Sequence, residues 1–267
     1  MTPPTAAEDL ELLIAAASEA GELATELRER GLTVDYKAGN SPVTNADLAC
    51  DRLLLDRLGA ARPGYGWLSE ETADDPRRLA TRRLFVVDPI DGTRAFIKGR
   101  PWWAVSVAVI EGDRPIAGAV FAPQLSETYA ACAGGGATLN GAPIRASDAS
   151  EVEGCGIVGD PVMFAHPAWP TPWPSMRIEP RNSIAYRMCL VAAGVFDATV
   201  GPGVKHDWDL AAADLIAQEA GCFVGDHTGQ GFRYNRRVPA QPSLVCAAPG
   251  LAPLILDRVR HIASKTA

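Results

Sequence analysis

The sequence predicts a mixed fold, α+β in its first half and α/β in its second, and three observations carry that reading. Up to Leu58 the chain holds two stretches whose apolar residues recur at helical spacing. Four apolar, strand-like segments then follow one another between Leu84 and Ala133, separated by turn residues. From Gly156 onward short apolar segments alternate with helical ones, the pattern of stacked helix and sheet layers.

Composition bounds the rest. The 267 residues are 47% hydrophobic, enough for one large core or two packed halves. The net charge of -7 excludes general affinity for nucleic acid polymers or acidic membrane surfaces, which depends on many Lys and Arg contacts. A small anionic ligand would need a local cation. The six cysteines are scattered, with no CxxC pair, and read as reduced core residues of a cytoplasmic protein. The N-terminal MTPPTAAEDLELL carries acid where a signal peptide carries Lys or Arg, and no apolar run approaches the roughly 18 residues of a membrane span.

Taken in order, Ala6 to Arg30 is the first predicted helix, with Gly31 as its stop. YKAGNSP reads as a turn, and Thr44 to Leu58 as a second helix whose Thr44 and Asp47 have capping-box spacing, Asp standing in for Glu or Gln. RPGYG breaks the chain before a short strand, WLSEE. After the strand in LFVVDPIDGTRAF, the segments Trp103 to Ile110, Ile116 to Phe121 and Thr128 to Ala133 read as antiparallel neighbours. Gly134-Gly135-Gly136 and Asn140-Gly141 mark tight turns, and the polar stretch from Ala146 to Glu153 divides the chain into halves 1–147 and 148–267 of one catalytic unit. The second half gives a strand at Gly156 to Gly159, a proline-rich loop to Pro174, a helix from Ile184 to Gly194, a strand at Phe196 to Val200, and a helix from Trp208 to Ala220 ended by Gly221.

Acidic residues stand at several of these element ends. Asp88 and Asp91 follow a buried strand, Glu70 and Glu71 follow another, and Asp209 opens an otherwise apolar helix. Singly, each has an ordinary explanation: a charge complementing a helix dipole for Asp209, a solvated loop for the glutamates, an Asx-turn for the aspartates. Together they form a hard-oxygen set suited to Mg²⁺, since a carboxylate at a core edge needs a cation, a donor network or a proton.

SPVTNAD (Ser41 to Asp47), SEE (Ser69 to Glu71), DPIDGTRAF (Asp88 to Phe96) and WDLAAADLIAQEAG (Trp208 to Gly221) resemble, in order and separation, the signature segments of the inositol monophosphatase superfamily. The resemblance covers nearly the whole chain. It implies a layered αβαβα, sugar-phosphatase-like fold, a homodimer, competition by Li⁺, and a phosphatase holding two or three Mg²⁺ ions. Carried onto this sequence, Glu70, Asp88 and the carbonyl of Ile90 hold one ion, and Asp88, Asp91 and Asp209 another. Glu70 and Thr93 position and activate the attacking water, Asp47 orients the Thr93 hydroxyl, and the N–H groups of Gly92 and Thr93 bind phosphate oxygens.

The resemblance is less specific about substrate, a small phosphorylated metabolite. The stretch VGPGVKHDWD lacks the upstream acid that contacts inositol hydroxyls in animal enzymes, and its Gly-Pro, with FIKG, is similar to bacterial 3'(2'),5'-bisphosphate nucleotidases. Adenosine 3',5'-bisphosphate is therefore the expected substrate, ahead of inositol monophosphate and histidinol phosphate. On that reading Lys205, with His206, meets a second phosphate, and Ser183, with Asn182, lines the substrate side beside Asp91 and Asp209. A sensor of phosphate ligands that kept the fold without turnover is the non-enzymatic alternative; the presence of every metal ligand and of Thr93 weighs against it.

Overall fold

The structure is a computed structural model and describes residues 4–262 other than Ala38. Local signals place its first elements. Helix α1 (Ala6–Arg30) starts where the Thr5 hydroxyl accepts the Glu8 N–H and the Glu8 carboxylate accepts the Thr5 N–H, and it ends at Gly31. A hairpin of β1 (Val34–Tyr36) and β2 (Pro42–Thr44) leads into α2 (Asn45–Ala61), capped by the expected Thr44–Asp47 box. Aspartate serves there because its Oδ2 comes within 2.8 Å of the Thr44 nitrogen.

Seven strands form the main sheet in chain order: β3 (Gly66–Ser69), β4 (Arg83–Asp91), β5 (Ala104–Glu111), β6 (Arg114–Ala122), β7 (Glu127–Cys132), β8 (Ala137–Leu139) and β9 (Ala142–Pro143). A short helix, α3 (Thr93–Ile97), follows β4. The three segments read as antiparallel neighbours are β5, β6 and β7, their ends moved by two residues at most. The strand read as WLSEE stops at Ser69, which leaves both glutamates beyond it. Within this sheet β3 and β4 are the one parallel pair among the described residues.

Side chains alternate across the sheet as the two-residue period requires. Phe85, Val87, Val105, Val107 and Val109 join the core under α1 and α2, while Leu84, Val86, Ala104, Ala108 and Ile110 join the opposite core. Burial on both faces is why these strands read as unbroken apolar runs.

The second half supplies β10 (Gly156–Val158), α4 (Pro161–Phe164), β11 (Arg177–Glu179), α5 (Ile184–Ala192), β12 (Ala198–Gly201), β13 (Lys205–His206), α6 (Asp207–Glu219), β14 (Phe223–Gly225), β15 (Ala240–Gln241), β16 (Leu244–Ala247) and α7 (Ala252–Val259). A five-stranded sheet runs β11-β10-β12-β16-β14, and β13 pairs with β15. Helices α5 and α6 fill the space between the two sheets, α1 and α2 cover the first sheet, and α7 covers the second. The layers are therefore αβαβα. Small residues allow this stacking: a Cβ on Gly118 of β6 would lie 2.9 Å from the backbone of Ala212, in the Ala211-Ala212-Ala213 run of α6.

All six cysteines are free, and five are buried. No helix among the described residues is long and apolar enough to cross a membrane.

Candidate metal centre

Parallel pairing of β3 and β4 brings their C-terminal ends to one end of the sheet. Ser69 is in register with Val87, and the Glu70 N–H donates to the Val87 carbonyl at 3.2 Å, so Glu70 emerges beside Asp88. Strand β4 then breaks register. Asp88 faces Ser106 and Asp91 faces Ala104, so β4 uses one residue more than β5 over this interval, and Pro89, without an N–H for the ladder, lies inside the irregularity. The first turns of α6 and α2 bring Asp209 and Asp47 to the same end.

The result is a cleft of about 200 Å³ lined by Glu70, Asp88, Ile90, Asp91, Gly92, Thr93 and Asp209, with Ser41, Pro42, Arg94 and Asn182 at its walls. One carboxylate oxygen each from Glu70, Asp88 and Asp209 lies within 4.8 Å of the others. Asp91 shares the cleft, but its Oδ2 accepts the Ser183 hydroxyl at 2.6 Å and the Ala185 N–H at 2.7 Å. The Asp88 Oδ1 accepts the Ile90 N–H at 3.0 Å, and the Asp209 Oδ2 accepts the His206 N–H at 2.7 Å, which also caps α6. Asp209 thus fills the helix-capping role and still faces the cleft.

The Thr93 hydroxyl has two acceptors for its one proton, Asp47 Oδ1 at 3.2 Å and the Ile90 carbonyl at 3.1 Å. The other Asp47 oxygen is fixed by the Thr44 N–H and hydroxyl at 2.8 and 2.5 Å. Gly92 precedes Thr93 with φ of 94°, and a Cβ there would come within 3.1 Å of the Ser183 nitrogen and the Trp102 carbonyl oxygen. Glycine is favoured on both counts.

Electrostatically the site is under-neutralised. Burial, then repulsion by Glu70, Asp91 and Asp209, pushes the Asp88 carboxyl well above the usual range. Burial and Asp91 push Asp209 up to about 8, and burial pushes Asp91 up to about 6 against the donors from Ser183 and α5. Among the described residues, Lys37 forms ion pairs with Glu71 at 2.7 Å and Glu70 at 3.2 Å, while no Lys, Arg or His lies within ion-pair distance of Asp47, Asp88, Asp91 or Asp209. An all-oxygen donor set that repels itself, and whose aspartates have no basic group in ion-pair reach among the described residues, fits a hard divalent cation.

Two expected substrate contacts fall elsewhere. Ser183 is fully buried because it caps α5 and holds Asp91, so Asn182 lines the cleft in its place. Lys205 donates its ammonium to the carbonyls of Gly203 and Val204 and is not part of the lining, although its charge reaches Asp209. The His206 ring stacks on Trp208, 4.6 Å between centroids. Lys37 and Asp51 were missed by sequence reasoning. Nothing in YKAGNSP signals where Lys37 points, whereas Asp51, four residues after Asp47, was legible as a second acid on one face of α2.

Comparison with known proteins points to one family. A model of the inositol monophosphatase family matches residues 6–264. A histidinol-phosphatase of Mycobacterium tuberculosis is 36% identical over 229 residues, covering 80% of this chain and 85% of its own. The 3'(2'),5'-bisphosphate nucleotidase CysQ of Aggregatibacter actinomycetemcomitans is 30% identical over 249 residues, 85% of this chain and 88% of its own. Among solved structures, an IMPase of Thermotoga maritima superposes with a TM-score of 0.83 at 28% identity, covering 96% of this chain and 98% of its own.

Proposed function

Because this chain belongs to the inositol monophosphatase family, whose members are phosphoric monoester hydrolases, we propose that it uses Mg²⁺ to hydrolyse adenosine 3',5'-bisphosphate to AMP and phosphate. The observation that carries the metal reading is the approach of the Glu70, Asp88 and Asp209 oxygens to within 4.8 Å, with no basic residue among those described in ion-pair reach of Asp88 or Asp209. Glu70, Asp88, Asp91, Asp209 and the Ile90 carbonyl would hold the ions. Bound Mg²⁺ supplies Lewis-acid charge that makes water nucleophilic near neutral pH and offsets the charge of the departing oxygen.

The chain's own groups do the positioning. Thr93, donating to Asp47, turns its lone pairs toward the cleft and orients a water with Glu70. Gly92 and Thr93 start α3 and offer N–H groups to phosphate oxygens. Arg94, next in sequence, lines the cleft, donates to the Asn40 carbonyl at 3.0 Å and has no carboxylate partner among the described residues. A second anionic group on the substrate gives that guanidinium a partner, which favours a bisphosphate over the cationic histidinol phosphate or a neutral polyol ring.

Histidinol phosphate is the second reading, favoured by the 36% identity to the mycobacterial phosphatase. The same family reading expects a cytoplasmic homodimer whose metal site Li⁺ can occupy. Phosphate release measured at equal Mg²⁺ from adenosine 3',5'-bisphosphate, histidinol phosphate and inositol 1-phosphate tests the choice. The nucleotide is expected to exceed both in kcat/KM, and a higher value for either of the others would remove the nucleotide reading.

A further inference from the structure

Glu70, on a loop beyond the end of β3, bonds through its N–H to Val87 and pairs with Lys37. Its chain neighbours add a further hold on the loop that carries it. The Ser69 hydroxyl donates to one oxygen of Asp51 at 2.5 Å, and the Thr72 hydroxyl donates to the other at 2.5 Å. The Ser69 hydroxyl oxygen in turn accepts the Glu71 N–H at 3.3 Å. Both ends of the four-residue segment Ser69 to Thr72 are thus tied to one buried carboxylate, with Glu70 and Glu71 held between the ties.

Asp51 has no ion-pair partner among the described residues; hydroxyl donors are what satisfy it. It lies one helical turn after Asp47, whose Oδ1 accepts the Thr93 hydroxyl. One face of α2 therefore sets both the Glu70 loop and the Thr93 hydroxyl relative to the strand that carries Asp88 and Asp91. A carboxylate with two acceptor oxygens can fix both ends of a turn at once, and a group that orients a ligand commonly governs metal affinity as strongly as a change of about 10- to 100-fold.

We infer that Asp51 is a positioning residue of the metal centre, holding the Ser69–Thr72 loop so that Glu70 reaches the oxygens of Asp88 and Asp209. The inference rests on the reading of that centre as a Mg²⁺ site. Its test is a calorimetric titration of Mg²⁺ into metal-free protein, with circular dichroism to verify folding. Asp51→Ala is expected to weaken Mg²⁺ binding about 10- to 100-fold, Asp51→Asn, which keeps one acceptor oxygen, to weaken it less, and Thr72→Val to weaken it measurably. If Asp51 acts through the loop, Thr72→Val adds little in the Asp51→Ala background. Should Asp51→Ala fail to fold, Thr72→Val carries the same expectation. Folded variants that bind Mg²⁺ as the parent does, even with a lowered thermal midpoint, would overturn the inference. Failure of the parent protein itself to bind Mg²⁺ would instead overturn the metal reading beneath it.

Discussion

Asp88 and Asp91 lie three residues apart on one strand yet serve the same side of the sheet. Asp88 continues the face of Leu84 and Val86, and Asp91 accepts hydrogen bonds from Ser183 and Ala185 at the start of α5. A regular strand would place residues of odd separation on opposite faces, so the extra β4 residue opposite Ser106 to Ala104 reverses the alternation.

This relationship makes Asp91 both a candidate ligand and an acceptor for α5. Asp91→Asn keeps a carbonyl oxygen for Ser183 and Ala185 but removes the charge. Mg²⁺-dependent phosphate release is expected to fall by more than roughly 100-fold with the circular dichroism spectrum retained. Turnover equal to the parent's would exclude Asp91 from the metal set.

Thr93 is expected to act on the rate more than on metal binding. Thr93→Ala removes the hydroxyl that Asp47 orients, and kcat is expected to drop by about 100-fold or more, with most of it restored in Thr93→Ser. Steady-state kinetics at saturating Mg²⁺ decide this, and equal rates for the Ala and Ser variants would refute the role.

The raised carboxyls give a signed pH dependence. Asp209 at about 8, Asp91 at about 6 and Asp88 well above its ordinary range hold protons in the folded, metal-free protein that the unfolded chain has released. Their stabilisation is fully present below the unfolded carboxyl value of about 4 and is lost as pH rises through about 8. The thermal midpoint of metal-free protein is expected to be held down by these groups on going from about pH 5 to about 8, and Mg²⁺ to offset that loss. Mg²⁺ binding near neutral pH is expected to release protons, read by calorimetry in buffers of different ionisation heat. Binding heats that do not depend on the buffer would contradict it.

Arg94→Gln separates substrate recognition from chemistry. Loss of one charge-assisted contact is expected to lower kcat/KM for adenosine 3',5'-bisphosphate by about 10- to 100-fold while leaving histidinol phosphate hydrolysis nearly unchanged. A uniform loss across both substrates would show that Arg94 does not read a second anion.

Far from the cleft, fully buried Asp9 of α1 accepts from Arg62 at 2.8 Å, Tyr65 at 2.9 Å and Arg83 at 3.1 Å, tying the helix to the first sheet. Asp9→Ala leaves these donors short of an acceptor and is expected to cost about 3–5 kcal/mol in urea unfolding. Activity at temperatures where the variant is folded should persist.

The sequence by itself determined what short-range chemistry controls. The starts of α1 and α2 coincide with the Thr5–Glu8 and Thr44–Asp47 caps, although α2 runs to Ala61, three residues past the expected Leu58, and the succession of β5, β6 and β7 follows from apolar runs broken by turn residues. The motifs likewise named most residues that line the cleft. What only the tertiary structure decided were relationships between distant segments: the parallel pairing that sets Glu70 beside Asp88, the bulge that turns Asp91, the ion pairs of Lys37, and the inward turn of Ser183. Caps and periodicity are fixed within a few residues of chain, whereas strand partners and side-chain facing are settled by which surfaces are buried together, and no local stretch of residues contains that information.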